Sequence, residues 1–234
     1  MALWRDLEFV WKSFLRSWRK GWKWWLAGVL TFGVLTSLVL FPNDLKLLRW
    51  VQGPEGLEGV EKQISFWGDF LQFNIAWGVV MFAMATMRGD RWLRRAAVAF
   101  VLAGVLSGAT TRVVKFSAGR ARPKTVERLD LQAVSFRGPS TSGKFHGYWS
   151  GHTAASVGSA VALVVVLPRV GWVAILFAGT VGWARLYGNH HFPADVLHGA
   201  TWGVMWGFLV GGGMVKVRKR AEGWGRRFQS TGSK

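Results

Sequence analysis

One stretch of eleven residues between two apolar segments carries three side chains suited to phosphate chemistry: Arg185, His191 and Asp195. A guanidinium can bind a phosphate through paired donors, an imidazole can attack phosphorus or move a proton, and a carboxylate can orient that imidazole. His191 and Asp195 are four residues apart, so they share one face if the chain becomes helical at Pro193. Because ionisable groups are costly at the edge of an apolar bundle, we interpret this stretch as half of a phosphate-handling site.

Two further clusters carry complementary chemistry. Lys115 is followed seven residues later by Arg122, and both cations can bind phosphoryl oxygens. Ser150, Gly151 and His152 stand at the start of an apolar segment. Ser150 is a good N-cap there, and the free N–H groups of a helix start favour an anion. His152 offers a second imidazole for acid–base chemistry.

The composition indicates a membrane protein. The chain has 234 residues, of which 50% are hydrophobic, with 30 Gly and 16 Trp. Its formal charge of +18 would suit nucleic acid or an anionic membrane. Because the basic residues flank apolar segments, the membrane is favoured and no nucleic-acid partner is expected. The absence of Cys excludes disulfides and cysteine-based metal sites or nucleophiles.

Six apolar segments each have the roughly 17–25 residues that a helix needs to cross a bilayer. We therefore predict an all-α fold, a polytopic bundle of six transmembrane helices within residues 24–215. The predicted spans are 24–41, 66–87, 96–114, 150–167, 171–187 and 194–215.

The segments outside the spans have distinct patterns. In residues 1–23, aromatic and Leu side chains recur every three or four positions between basic residues, which predicts an amphipathic helix lying on the membrane surface. Residues 42–64 are predicted to be a loop with a short surface helix, and 115–149 form the longest connection. The basic stretch 216–234 is predicted to be a frayed tail.

Charge asymmetry predicts the orientation. Six spans place both termini on one side, which would carry eighteen Lys and Arg against twelve on the other. The positive-inside rule then places both termini in the cytoplasm. Loop 115–149 and stretch 185–195 would face the exterior or the periplasm of a bacterial inner membrane. The basic residues of this outer side are what a phosphate site would require.

Together these residues resemble the signature of the type 2 phosphatidic acid phosphatase superfamily. That signature is Lys-x6-Arg-Pro, then Pro-Ser-Gly-His, then Ser-Arg-x5-His-x3-Asp. Two positions depart from it, because Trp149 stands in place of the Pro and Ala184 in place of the second Ser. The resemblance covers residues 66–214, and the matching residues are Lys115, Arg122, Pro123, Ser150, Gly151, His152, Arg185, His191 and Asp195.

The resemblance implies a role for each matching residue. His191 would attack phosphorus to form a phosphohistidine, oriented by Asp195. His152 would protonate the leaving oxygen and later activate water. No metal or other cofactor is implied, because cationic groups would neutralise the transition state. The groups implied to hold the phosphoryl oxygens are Lys115, Arg122, Ser150, Gly151 and Arg185.

Other charged residues have weaker assignments. Arg120 and Arg112 are candidates for contacting a second phosphate if the substrate is a diphosphate, with plain interface charge as the alternative. His190 is assigned to the rim, and His198 to a structural hydrogen bond with Asp195 as the candidate partner. His146, in the outer loop, is expected to be exposed to solvent, with the cavity entrance as the alternative. Several glycines predict close helix packing: Gly104, Gly108, Gly158, Gly179 and Gly211–Gly213.

The expected function is that of a membrane lipid phosphatase acting on a phosphomonoester or diphosphate. An isoprenoid diphosphate or phosphatidylglycerol phosphate is ranked first as substrate, and a lipid A phosphatase or phosphotransferase second. A hypothesis from another class is a non-catalytic lipid-binding or transport protein on the same scaffold, which the departures at Trp149 and Ala184 keep open. The motifs leave the physiological lipid and the oligomeric state open.

Overall fold

The computed structural model describes residues 2–53 and 55–231, with side chains as far as residue 218. The described residues form helices and no strand, so the predicted all-α class is confirmed. A π-helix, Phe70–Ala76, runs directly into α3, and a short 3₁₀ turn covers Gly143–Phe145. The α-helices are α1 (Ala2–Val51), α2 (Glu58–Trp67), α3 (Trp77–Met87), α4 (Arg91–Ala118), α5 (Pro123–Leu129), α6 (Gly151–Val166), α7 (Pro168–Tyr187) and α8 (Pro193–Thr231).

Four of the predicted spans lie wholly within helices, span 150–167 extends one residue beyond each end of α6, and span 66–87 includes a turn at Gly68 and Asp69. Within the described part of the chain, four segments are long and apolar enough to cross a membrane: α1, Phe70–Met87, α4 and α7. The intervening helix α6 is apolar but has 16 residues. The fold is therefore a helical bundle with several candidate membrane helices, and the count of six spans stays a prediction.

Helix α1 is longer than the sequence pattern predicts. The loop predicted for residues 42–64 does not begin at Pro42, because Pro42 lies inside a helix that continues to Val51. Tertiary contacts stabilise the extra turns: Asp44 is fully buried and accepts a hydrogen bond from the Ala194 N–H at 2.9 Å. Leu48 is also buried and packs in a small cluster beside the loop before α5. These contacts outweigh the cost of a proline within the helix.

The amino-terminal part of α1 packs on the bundle. Asp6 is buried and forms ion pairs with Arg94 at 2.9 Å and Arg95 at 3.1 Å, both near the start of α4. Phe14 belongs to the main core, whereas Trp4 is 74% exposed. The segment is thus continuous with the first predicted span and has one buried face. Its position on a membrane surface stays a prediction.

Helices α6 and α8 approach each other at backbone distance. Four glycines at intervals of four residues, Gly199, Gly203, Gly207 and Gly211, face α6 and the residue before it. A methyl group on Gly203 would lie 2.5 Å from the Ala154 carbonyl oxygen. Such stripes of small residues allow membrane helices to pack closely. The stripe fixes the start of α6 against the start of α8.

The close-packing prediction holds for most of the glycines named above but not for all of them. A side chain at Gly104 or Gly213 would meet Asn74 or the Ser13 backbone respectively. Gly179 and Gly212 have no neighbour within 4 Å, so the packing prediction is wrong at these two positions.

The end of α4 depends on a glycine. Gly119 takes the left-handed conformation, with φ of 60°, and a side chain there would collide with the Gly138 carbonyl group. Glycine adopts this conformation without the penalty of a Cβ atom and commonly ends helices in this way. The chain therefore turns immediately after the last turn of α4, which contains Lys115. This turn brings Arg120 and Arg122 back over the bundle.

Helix α8 extends through much of the stretch predicted to be a frayed tail. It is helical to Thr231, and the Arg218 guanidinium lies over the Trp92 ring at 4.8 Å. Residues 232–234 of the predicted tail lie outside the described residues.

Candidate active site

Most of the predicted site residues line one cavity of about 820 Å³. The cavity lies between α4, the start of the π-helix, the start of α6 and the end of α7. Its predicted members are Arg112, Lys115, Arg122, Gly151, His152, Arg185 and His191, and its other members are Asp69, Phe70, Leu71, Val105, Gly108, Ala109, His146 and Ala155.

Four cations line the cavity and form no salt bridge with any described residue: Arg112, Lys115, Arg122 and Arg185. The Lys115 ammonium lies beside the start of α6, since a methyl group on Gly151 would be 3.5 Å from its Nζ. Like charges gathered without direct ion pairs repel one another, and a bound anion relieves that repulsion. The arrangement therefore suits a multiply charged anion.

Two of these cations also lack hydrogen-bond acceptors for buried N–H groups. The Nε atoms of Arg122 and Arg185 are buried without a hydrogen-bond partner among the described residues. Burial lowers the pKa of the Arg122 guanidinium from its ordinary value, because charge is disfavoured away from water. Phosphate oxygens would supply the missing acceptors. In the described part of the chain, no three His, Asp or Glu side chains are grouped as a metal site would require.

His191 has the environment that the predicted nucleophile requires. Its ring is buried, and its Nδ1–H donates to the Gly147 carbonyl oxygen at 2.7 Å. A carbonyl oxygen can only accept, so Nδ1 carries the proton and the Nε2 lone pair is free. Burial, followed by the charges of Lys115 and Arg185, lowers the pKa of His191 well below its usual range. The ring is therefore neutral and able to attack phosphorus.

Asp195 does not make the predicted direct contact. Its carboxylate lies 3.8 Å from His191 Nδ1, whereas it accepts from the Phe192 N–H at 2.9 Å and from Arg120 at 2.7 Å. The Gly147 carbonyl group, which sequence reasoning missed, is the hydrogen-bond partner of the imidazole. Asp195 thus lies close to His191 but is held mainly by other groups.

Arg120 is not a phosphate contact, and that prediction is wrong. Its side chain is fully buried, with Nη1 bonded to Asp195 and Nη2 bonded to Asp44 at 2.6 Å. Nearby carboxylates raise its pKa above the ordinary value, although burial alone would lower it. Arg112, in contrast, lines the cavity as the second-phosphate prediction requires. Arg120 instead ties α1, the loop after α4 and α8 together.

His152 has an acidic partner that sequence reasoning missed. Its Nε2 lies 3.0 Å from Asp69 Oδ2, and both side chains border the cavity. Asp69 precedes an apolar segment, so the pattern of a helix cap could have drawn attention to it. Nothing in the sequence, however, predicts a contact across 83 positions.

Arg185 is supported by α2. Its Nη1 donates to the Ser65 hydroxyl at 3.1 Å, and Ser65 donates to the buried Glu61 carboxylate at 2.7 Å. His190 lies at the edge of this group, 3.9 Å from Glu61. Burial, followed by the charge of Arg185, lowers the pKa of His190 to about 3. The rim assignment of His190 stays a prediction, and Ser65 and Glu61 join the supporting residues.

Ser150 acts as the predicted N-cap of α6. Its hydroxyl group accepts from Thr153, and its backbone N–H donates to the Asp195 carbonyl oxygen at 2.9 Å. The side chain is buried behind the cavity wall rather than lining the cavity. A direct role for the Ser150 hydroxyl in phosphate binding therefore stays a prediction.

The two departures from the signature lie outside the cavity. The Trp149 ring packs on Trp202 at a centroid distance of 5.2 Å, and Ala184 is fully buried in α7. His198 makes a structural hydrogen bond, as expected, but its partner is Thr36 at 2.9 Å rather than Asp195. His146 is half-buried, bonded to the Ser140 carbonyl oxygen at 2.7 Å, and lines the cavity, so the expected exposure to solvent is wrong.

Comparison with known proteins decides the family. The model of the PAP2 superfamily matches residues 96–218, which is more than half of the chain and includes all of the signature residues. The chain belongs to the PAP2 superfamily. Together with its long apolar helices, this membership identifies it as an integral membrane protein.

The individual PAP2 proteins that match this chain either match over a short segment or have low sequence identity. The chain is 30% identical over 60 residues to undecaprenyl-diphosphatase BcrC of Bacillus subtilis strain 168, a match that spans 26% of this chain and 31% of that protein. The crystal structure of a transmembrane PAP2-type phosphatidylglycerolphosphate phosphatase from Bacillus subtilis has a TM-score of 0.56 and 20% identity. That match covers 82% of this chain and 96% of the other, and it shows a shared fold. LpxE of Aquifex aeolicus gives a TM-score of 0.47 with 19% identity, over 71% of this chain and 93% of the other.

Proposed function

We propose that this PAP2 protein is a membrane lipid phosphatase that works through a phosphohistidine. The observation that carries the proposal is a buried, neutral imidazole, His191, in a cavity lined by four cations that form no salt bridge with any described residue. A lipid phosphate would supply the missing negative charge and place its phosphorus at the free nitrogen of His191. The signature residues and the family membership support the same chemistry.

The proposed reaction has two steps. His191 Nε2 attacks phosphorus while the bond to the lipid oxygen breaks, and that oxygen takes a proton from His152. Water then attacks the phosphohistidine, gives its proton to His152 and releases inorganic phosphate and free His191. Lys115, Arg122 and Arg185 stabilise the charge that develops on the phosphoryl oxygens. In this scheme the cations perform the charge neutralisation, and no metal is used.

An apolar wall on one side of the cavity favours a lipid substrate. Phe70, Leu71, Val105 and Ala109 line it on the side of α4 and the π-helix, where a hydrocarbon chain would enter from the bilayer. Arg112 lies on α4 one turn before Lys115, where it could bind the inner phosphate of a diphosphate. With the likeness to BcrC, this favours an isoprenoid diphosphate, and phosphatidylglycerol phosphate is the second substrate in rank.

Phosphate release from purified protein tests the proposal. A panel of isoprenoid diphosphate, phosphatidylglycerol phosphate, phosphatidic acid and lipid A would be compared in detergent. We expect release from at least one lipid, and we expect His191→Ala to reduce it by about a thousandfold or more. A phosphotransferase would release little phosphate until an acceptor lipid is added. If no lipid yields phosphate or transfer, or if His191→Ala retains full activity, the enzyme hypothesis is wrong.

A further inference from the structure

The proposed acid–base group, His152, has one ring nitrogen committed to a carboxylate. Its Nε2 lies 3.0 Å from Asp69 Oδ2, a separation typical of a hydrogen bond. Its Nδ1 has no hydrogen bond to any residue that the structure describes. A carboxylate accepts hydrogen bonds, so Nε2 carries a proton and Nδ1 is the nitrogen left for a substrate.

The position of Asp69 is fixed by an unusual local structure. Asp69 caps the π-helix Phe70–Ala76, and its other oxygen, Oδ1, accepts from the Leu71 N–H at 3.2 Å. π-helices are rare and occur mostly as short segments, frequently at functional sites. The two oxygens of one carboxylate therefore hold a helix end and a site histidine at the same time.

The π-helix is in turn attached to α6, the helix that carries His152. Asn74 is fully buried and donates to the Ala155 carbonyl oxygen at 3.2 Å and to the Ser159 hydroxyl at 2.5 Å. Gly104 leaves room for Asn74, because any side chain there would collide with its amide. Asp69 and His152 are thus held on two segments that are bonded to each other one turn further along.

We propose that Asp69 is a positioning residue for His152: it holds the ring by Nε2, directs Nδ1 at the leaving oxygen and stabilises the ring when it carries a positive charge. The catalytic consequence rests on the proposed phosphatase function, whereas the effect on the ring does not. The other charged groups that act on His152 are Arg185 and Lys115, which both oppose a positive ring. Asp69 is therefore the acidic group that balances them.

The replacement Asp69→Asn tests the proposal, because Asn retains the N-cap acceptor and removes the charge. Asp90→Asn is the matched control: Asp90 caps α4 in the same manner, bonding to Trp92 and Leu93, and is not among the cavity residues. NMR of full-length protein labelled at histidine reports the titration of His152 without any substrate. In Asp69→Asn we expect its midpoint to move to lower pH by about one unit. An unchanged midpoint would overturn the proposal, as would an equal shift in Asp90→Asn.

Leaving-group dependence provides the kinetic test. A lipid phosphate requires a proton on its leaving oxygen, whereas p-nitrophenyl phosphate releases a stable phenolate that requires none. We expect Asp69→Asn to reduce turnover of the lipid about 10- to 100-fold, part of the 10²- to 10⁴-fold contribution of acid–base catalysis, and turnover of the aryl phosphate less than about threefold. The alkaline limb of the lipid profile should move to lower pH. Equal losses on both substrates would indicate a merely structural role and overturn the proposal.

The two proposals fail in different ways. If the wild-type protein releases phosphate from neither substrate, the phosphatase function is wrong, and the NMR titration alone decides whether Asp69 controls the ring of His152. If the wild type is active and Asp69→Asn behaves like Asp90→Asn in both assays, the inference on Asp69 is wrong and the phosphatase function stands.

Discussion

At the scale of single residues, the proposed nucleophile His191 and the carboxylate of Asp195 are less closely linked than the signature implies. His191 is hydrogen-bonded to a backbone carbonyl group, that of Gly147. Gly147 is itself fixed, because its N–H donates to the Arg120 carbonyl oxygen at 2.9 Å. The protonated nitrogen of His191 is thus selected by the backbone. Asp195 acts mainly as a partner of Arg120, through a bond of 2.7 Å.

This arrangement predicts that Asp195→Asn affects stability more than chemistry. The substitution leaves buried Arg120 with Asp44 as its only carboxylate partner among the described residues, at a cost of about 2–3 kcal/mol in the free energy of unfolding. Activity per folded molecule should fall less than about tenfold, compared with roughly 10⁴-fold where a carboxylate sets the tautomer of a catalytic histidine. Thermal unfolding and phosphate release, measured on the same preparation, check this. A loss as large as that of His191→Ala at unchanged melting temperature would contradict it.

The two adjacent histidines predict a loss of stability in acid. Both are neutral in the folded chain, since burial lowers the pKa of His191 well below its usual range and that of His190 to about 3. In the unfolded chain they take up protons below about pH 6.5. The unfolded state then binds more protons, so the free energy of unfolding should decrease as the pH falls from about 6.5 towards 3.

Melting temperatures in detergent at several pH values between 7.5 and 4 test this prediction. The decline should be shallower in His190→Gln, because one of the two titrating groups is removed. An identical decline in wild type and variant would show that His190 does not contribute.

At the scale of elements, the contact between α6 and α8 joins the two halves of the site. Ser150 at the start of α6 bonds to the backbone of Asp195 near the start of α8, at 2.9 Å. The glycine stripe Gly199–Gly211 allows this approach, because side chains at its four positions would press on the backbone of α6 or of Ser150. The two histidines of the proposed mechanism are therefore brought to one cavity by backbone packing.

Gly203→Ala tests the packing of these helices. The new methyl group would lie 2.5 Å from the Ala154 carbonyl oxygen and 2.8 Å from the Gly158 nitrogen, so the helices must separate. We expect the substitution to lower the free energy of unfolding by about 1–3 kcal/mol and to reduce phosphate release. Gly212→Ala is the control on the same helix, because no atom lies within 4 Å of the new methyl group. Equal melting temperatures for the two variants would contradict the packing argument.

At the scale of the whole molecule, the predicted orientation is the main proposal that an experiment in cells can decide. The chain has no cysteine, so single cysteines can be introduced without background. Lys124 in α5 lies beside the site, and Arg88 follows α3 at the opposite side of the predicted membrane; both are exposed. A membrane-impermeant maleimide should label Lys124→Cys in spheroplasts and Arg88→Cys only after the membrane is permeabilised. The reverse pattern would place the site in the cytoplasm.

The sequence by itself determined the chemical class and the helical architecture. Lys115, Arg122, His152, Arg185 and His191 were assigned from residue type and spacing, and all of them line the cavity. The six apolar segments were recognised as helical because hydropathy and length are properties of contiguous residues. Several ionisable residues at fixed spacing at the ends of apolar segments indicate a functional site, because such residues are costly beside a membrane unless they have a role.

The tertiary structure decided the partners of these residues. Asp69 is hydrogen-bonded to His152, and Gly147 to His191. Asp44 stabilises α1 beyond Pro42 through a hydrogen bond to a residue 150 positions away. Arg120 is held away from the cavity by its ion pairs with the carboxylates of Asp44 and Asp195. Such contacts depend on how helices pack, and local propensity cannot encode the energy of a bond between distant parts of the chain. The sequence identified the residues proposed to react, whereas tertiary packing determined which groups orient them.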